Sequence, residues 1–216
     1  VCALSYFIAG MDAFDAIAHS FSTVAIGGFS THDASIGYFD NVQIEAVACL
    51  FMLLSGINYG LHFLVWRRKN LFYYLADIEL RAYVIFTFGI AAVVVGMLTL
   101  VPTATVSPLR DGIFQTISIA TTTGFVTQDF SQWPSVVPVL LLLAAFAGGC
   151  AGSTAGGIKI IRVLMIYLQG MREVKRLIHP SGVFPIKLGK TPVPDRLIEA
   201  VWSFCLLYTS PSPRDS

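Results

Sequence analysis

Charge is what this sequence has least of. Only 12% of its 216 residues are Asp, Glu, Lys or Arg, against about a quarter in an ordinary soluble domain. With 55% hydrophobic residues and a mean hydropathy of +0.71, that deficit argues against a water-soluble chain. Metal-binding patterns are missing too. Cys2, Cys49, Cys150 and Cys205 form no Cys-x-x-Cys pair and read as small membrane-embedded hydrophobes. No histidine stands at ligand spacing from another His or Cys. No nucleotide motif appears, and no cofactor or nucleic-acid partner is expected.

What the sequence does have is long runs without charge. Ala46–Trp66, Ala82–Val101 and Phe130–Ile158 hold 21, 20 and 29 such residues, and about 20 apolar residues cross a bilayer. These predict two uninterrupted spans and a third broken by glycines. The bases are unevenly placed. Arg67, Arg68, Lys69 and Arg81 bracket one loop, and Lys159, Arg162, Arg172, Lys175, Arg176, Lys187, Lys190 and Arg196 accompany another. The segments on the opposite side, 30–43 and 102–115, hold only Arg110. By the positive-inside bias the basic loops are cytoplasmic. Val1–Met11 is apolar but too short to span, and the apolar run from Leu197 stops at "TSPSPRDS". A chain cut at both ends is the expectation, with 206–216 read as not native continuation and a genuine short disordered tail as the alternative.

Two outward loops resemble each other. "SFSTVAIGGFSTHD" (20–33) and "TISIATTTGFVTQD" (116–129) belong to a repeat offset by 96 residues. Over Asp15–Asp33 and Asp111–Asp129, seven of nineteen positions are identical, among them Gly28/Gly124, Phe29/Phe125 and Asp33/Asp129. The register carries on, placing Gly56 and Gly60 on Gly152 and Gly156. One structural unit used at least twice is implied. Each unit reads as an outer helix, a half-helix too short to cross, a non-helical return and an inner helix. The expected fold is an all-α polytopic membrane protein of parallel repeats, potassium-channel-like, whose re-entrant loops converge on an axis along the membrane normal.

Irregular backbone at membrane depth survives only where it is buried in protein or lines a watery path. Glycine lets successive carbonyls point one way, and rings of carbonyls replace the hydration shell of potassium. The half-helices would aim their negative ends at such a cation. Phe29 and Phe125 would wedge the loops against the half-helices, and Asp33 and Asp129 would either keep the outer mouth negative or cap a loop. "AGGCAGSTAGG" (147–157) is suited to unwinding at mid-span; tight helix packing is the other reading. For "GINYG" (56–60) packing is favoured. His62 is expected to be interfacial or hydrogen-bonded, and His19 to hydrogen-bond near the loop.

"DAIAHSFSTVAIGGFSTHDASIGYF", "FQTISIATTTGFVTQDFSQWP", "GGCAGSTAGGIKIIRVLM" and "REVKRLIHPSGVFPIKLG" resemble the TrkH-type membrane subunits of bacterial Trk potassium-uptake systems, within the wider Trk/Ktr/HKT superfamily. The likeness runs over about residues 1–205. It implies four non-identical units around one potassium pathway, of which this chain carries the second and third loops. By position it implies potassium held by backbone carbonyls of Ala25, Ile26, Gly27, Gly28, Thr121, Thr122, Thr123 and Gly124. It implies a gate loop containing Gly148, Gly149, Gly152, Ser153, Thr154, Gly156 and Gly157. It further implies residence in lipid as a multi-pass protein of the bacterial inner membrane, a homodimer, and a cytoplasmic nucleotide-binding regulatory subunit of TrkA type.

On that basis residues 1–80 form the end of an outer helix, a pore loop and an inner helix. Residues 81–168 form a complete unit, 169–196 a cytoplasmic loop, and 197–216 a truncated next unit with a non-native tail. Lys159 and Arg162, three apart, are expected on one helical face, either coupling the gate to the cytoplasm or snorkelling to the interface. A sodium-permeable pathway or a cation-coupled solute carrier is the alternative function. An intramembrane hydrolase using Ser153 is a weaker one, because Lys159 is six residues on and no His or Asp has a matching span position; the chain is read as not an enzyme.

Overall fold

The structure is a computed structural model that describes residues 1–101, 107–179, 182, 184–188, 191–194, 196–198 and 200–203. The expected outward turn at 102–106, Lys190, Cys205 and the tail 206–216 lie outside the described residues. Two compact parts are present, Val1–Lys159 and the residues from Ile160 onward.

In the first part the helices are α1 (Cys2–Ile8), α2 (Ala13–Val24), α3 (Val42–Ser55), α4 (Tyr59–Arg68), α5 (Phe72–Ala76), α6 (Ile78–Leu100), α7 (Pro108–Ala120) and α8 (Val136–Ala147). Their starts follow from local side chains. Asp12, Asn41, Asn58 and Asp77 accept hydrogen bonds from the first-turn amides of α2, α3, α4 and α6, and Pro108 opens α7, where its missing N–H costs nothing. Half-helix α2 packs between α1 and α3, and α7 packs between α6 and α8. The repeat seen in the sequence is thus a repeat of packing: outer helix, half-helix, inner helix.

α6 is the one single helix among the described residues long and apolar enough to cross a membrane. Its 23 residues reach about 35 Å, enough for a core of about 30 Å. Leu80, Tyr83, Thr87, Ala91, Val94 and Leu98 form its buried stripe, while Ile85, Phe88 and Val93 face outward, as lipid allows. The predicted span Ala46–Trp66 is not one uninterrupted helix: α3 and α4, which together are apolar and long enough to cross, meet at 90°. Gly56 sits at that corner so close under the Tyr83 hydroxyl that a Cβ would collide with it. His62 reaches back across the corner to the Leu54 carbonyl, 3.0 Å away, and bonds the Tyr74 hydroxyl with its other nitrogen at 2.6 Å. The third predicted span is broken as expected, α8 ending at Ala147.

An apolar cluster joins the two repeats: Tyr6, Met11, Ile36, Ile44 and Met52 from the first, Phe114, Ile117 and Phe125 from the second. The second part of the chain holds the amphipathic helix α9 (Ile160–Ile178) and a two-residue pairing of β1 (Lys187–Leu188) with β2 (Thr191–Pro192).

Candidate functional site

The two half-helices end identically. After Val24 the amides of Ala25, Ile26 and Gly27 return to the carbonyls of Phe21, Thr23 and Ser22; after Ala120 those of Thr121, Thr122 and Thr123 return to Ile117, Ile119 and Ser118. The last two bonds of each set make a Schellman cap, whose pivot residue is left-handed and usually glycine. Here the pivots are Ile26 (φ 54°) and Thr122 (φ 65°), with Gly28 (φ 69°) and Gly124 (φ 87°) two residues on. A β-branched residue in that region costs about 1–2 kcal/mol, and such strain persists where the surroundings over-determine it. Four left-handed residues at matching offsets of 96 are a property of the repeat.

The caps consume donors and spare acceptors. Among the described residues no hydrogen bond ends on the carbonyls of Ala25, Ile26, Gly27, Thr121, Thr122 or Thr123. The loops also meet: a Cβ on Gly28 would collide with the Thr123 carbonyl oxygen and lie 3.3 Å from the Gly124 carbonyl carbon. Gly124 has nothing within 4 Å on its Cβ side. The carboxyl ends of α2 and α7 deliver the negative ends of two helix dipoles to this place.

Side chains brace the returning strands. His19 bonds Ser30 Oγ through Nε2 at 2.9 Å. At the equivalent position Gln115 donates to the Gln128 carbonyl at 2.9 Å, and Ser118 donates to the Phe125 carbonyl at 2.7 Å. Thr31 and His32 bond the two carboxylate oxygens of Asp15 at 2.7 and 2.9 Å; the His32 contact first and the Thr31 hydroxyl second hold Asp15 below the usual carboxylate range. The wedging aromatics differ. Phe125 is fully buried, but Phe29 is 82% exposed, a correction to the expected symmetry. Asp33 is exposed. Asp129 caps the turn Phe130–Gln132, and the Ser131 amide lowers its pKa.

The two repeats are further tied at the outer side. Arg110 forms a bidentate pair with Glu45, both contacts at 2.8 Å, and also reaches Asp40 at 2.8 Å. Glu45 is buried, so its charge is matched across the repeat boundary from α7 to α3. The Gly37 amide donates to the Val126 carbonyl at 3.1 Å.

The glycine-rich loop after α8 lies against both half-helix ends. Gly148, Gly152 and Gly157 take positive φ. Thr154 donates its hydroxyl to the carbonyl of Val24, the last residue of α2, at 3.0 Å, and Tyr59 reaches the same carbonyl at 3.4 Å. The Gly156 amide donates to Thr122 Oγ1 at 2.6 Å. The corner between α3 and α4 pairs with the loop, Cys150 N–H to the Gly56 carbonyl at 2.9 Å and Tyr59 N–H to the Gly152 carbonyl at 3.1 Å. "GINYG" is thus more than a packing site. Ser153 donates to the Cys150 carbonyl at 2.6 Å. Gly149 fills the tight space between Ala155 and the Gly56 carbonyl.

Lys159 and Arg162 do not share a helical face. Lys159 has φ 81° and precedes α9, with its ammonium on the Ala155 carbonyl, whereas Arg162 lies within α9. Sequence reasoning also missed Glu79, Glu45 and Tyr59, whose roles depend on partners 65 to 93 positions away. Only the isolation of Arg110 among outward segments hinted at one of them.

Comparison with known proteins matches this architecture. The family profile of the TrkH cation transport proteins covers residues 2–210. The Trk system potassium uptake protein TrkH of Halomonas elongata is 52% identical over 208 residues, covering 96% of this chain and 43% of its own length. TrkH of Escherichia coli K12 is 51% identical over 209 residues, with the same coverage. The crystal structure of the potassium transporter TrkH from Vibrio parahaemolyticus superposes with a TM-score of 0.92 at 47% identity, covering 96% of this chain and 45% of that one. The chain therefore spans less than half the length of these relatives. With the profile matching nearly all of it and the fold shared at that level, the chain belongs to the TrkH family of cation transport proteins.

Proposed function

We propose that this chain supplies two of the selectivity loops, and the gate, of a potassium-uptake pathway through the bacterial inner membrane. The observation that carries this reading is the set of six unengaged carbonyls at residues 25–27 and 121–123, belonging to residues whose own amides are tied into helix caps. Such a surface offers oxygen and no competing donor, which suits a dehydrated alkali cation. Gly28 and Gly124 complete the two strands, and the helix dipoles add negative potential without adding fixed charge.

The loop 148–157 serves as the gate. Its Thr154 hydroxyl places a donor on the Val24 carbonyl, at the negative end of α2 where a cation would otherwise be stabilised. Permeation requires that this donor leave. We divide the chain accordingly into an incomplete unit (1–80), a complete unit with a broken inner helix (81–168), a cytoplasmic loop (169–196) and the start of another unit from 197. The working assembly is a homodimer in lipid with a nucleotide-binding regulatory subunit, and needs no cofactor.

TrkH relatives are transporters, which leaves the hydrolase reading of Ser153 without support. The test is Gly124→Ser in a full-length transporter carrying this segment. Potassium-over-sodium discrimination, read as a reversal potential, is expected to fall. Unaltered relative permeabilities would remove Gly124 from the filter.

A further inference from the structure

The loop's backbone is held by two other elements at consecutive residues. The Cys150 amide goes to the Gly56 carbonyl at the α3–α4 corner, and the Ala151 amide goes to the carboxylate of Glu79, in the first turn of α6, at 2.5 Å. A carboxylate that accepts a backbone amide makes a charge-assisted bond, stronger than a neutral one. Glu79 is not needed to cap its own helix, since Asp77 already accepts the Leu80 amide at 2.7 Å. An acid in the first turn of α6 that spends its carboxylate on another segment's backbone is a positional choice. The segment it holds is the one whose displacement opens the path.

We propose that Glu79 is a positioning residue that latches the loop 148–157 closed, its carboxylate fixing the Ala151 amide while the Gly56 carbonyl fixes Cys150. This rests on the reading of that loop as the gate. A charged acceptor on a backbone amide favours the held state by about tenfold to a hundredfold. Releasing it lets the loop leave the Val24 carbonyl and the Thr122 hydroxyl more often.

Cys150 is a built-in reporter, because it sits in the loop, is free and is 1% exposed. In a full-length transporter carrying this segment, with Cys2, Cys49 and Cys205 replaced by alanine, Cys150 is labelled by a cytoplasmic methanethiosulfonate reagent. Glu79→Ala is expected to raise the labelling rate about tenfold or more. Glu79→Gln keeps a neutral acceptor and is expected to raise it less, which provides a measurement should the alanine variant not assemble. Asp77→Ala removes the cap of the same helix and a second carboxylate whose charge reaches the Cys150 thiol, but leaves the Ala151 bond in place, and is expected to raise the rate far less than Glu79→Ala. Native labelling rates in both Glu79 variants overturn the latch, as does an equal acceleration in Asp77→Ala. Potassium flux through the same variants reads the gate separately: faster labelling with unchanged flux upholds the latch and removes the gate reading.

Discussion

Residues 25–28 and 121–124 follow one backbone path, yet they meet different neighbours. In the first loop Gly28 is pressed against the Thr123 carbonyl; in the second, Gly124 faces open space. The first is braced by the side chains of His19 and His32, the second by Gln115, at the position of His19, which donates to the main-chain carbonyl of Gln128, at the position of His32. Phe29 is exposed and Phe125 buried. The second loop also ties its own hydroxyls together, Thr121 to Thr123 at 2.8 Å, and lends Thr122 to the gate loop. The difference teaches which part of the repeat the chemistry needs. Backbone dihedrals and carbonyl freedom are kept in both copies, while the bracing side chains have diverged between ionisable and neutral groups.

The comparison breaks most sharply at the two glycines. Gly28→Ala meets left-handed strain of about 1–2 kcal/mol and an overpacking cost of about 1–3 kcal/mol, because its neighbour is backbone. Loss of folded transporter, seen as loss of the monodisperse peak in detergent, is expected. Gly124→Ala meets only the strain, so it is expected to fold and to change selectivity in a reversal-potential measurement. Equal behaviour of the two would erase the distinction drawn between packed and open glycine.

Next in size is the link between the copies. Arg110→Ala leaves the buried Glu45 carboxylate unmatched, and a loss of about 3 kcal/mol is expected, measured as a lowered unfolding temperature. Arg110→Ala with Glu45→Gln should recover part of it.

Thr122→Val keeps the β-branch and the backbone strain but deletes the acceptor for Gly156. About 1 kcal/mol of loop docking is expected to go, read as a several-fold rise in basal rubidium flux. Ile26→Val, its counterpart in the first loop, is expected to leave basal flux unaltered.

The smallest effect concerns acid. Asp15 has a lowered folded pKa, so its contribution to stability is complete above about pH 4 and disappears as pH falls through the folded value. His32→Gln makes the first loop resemble the second and removes the larger cause of the shift. Its unfolding temperature should therefore fall less steeply with pH below about pH 4 than that of the unaltered protein.

Much of the architecture was legible from the 96-residue offset. Identical Gly, Phe, Thr and Asp positions required equal half-helices and returns, and the charge-free windows required lipid. The corner at Gly56–Asn58 was not, because it holds one glycine inside a run as apolar as a true span; what breaks the helix is its pairing with Cys150 and Gly152, which periodicity does not display. Lys159 seemed helical beside Arg162 until its positive φ ended the register. The strained pivots Ile26 and Thr122 were also hidden, since β-branched residues are poor candidates for a left-handed cap. The exposure of Phe29 could not be read from its identity with Phe125, because burial belongs to neighbours and not to the repeat.

The central claim is that the bare carbonyls of residues 25–27 and 121–123, in strands completed by Gly28 and Gly124, hold a dehydrated alkali ion. It is tested most directly by anomalous diffraction from crystals of a full-length transporter carrying this segment, grown with rubidium or thallium in place of potassium. The account predicts ion density in contact with carbonyl oxygens from both loops, at the place where Gly28 meets Thr123 and Gly124. Ordered ions found only elsewhere along the pathway, with those carbonyls left unoccupied, would contradict it.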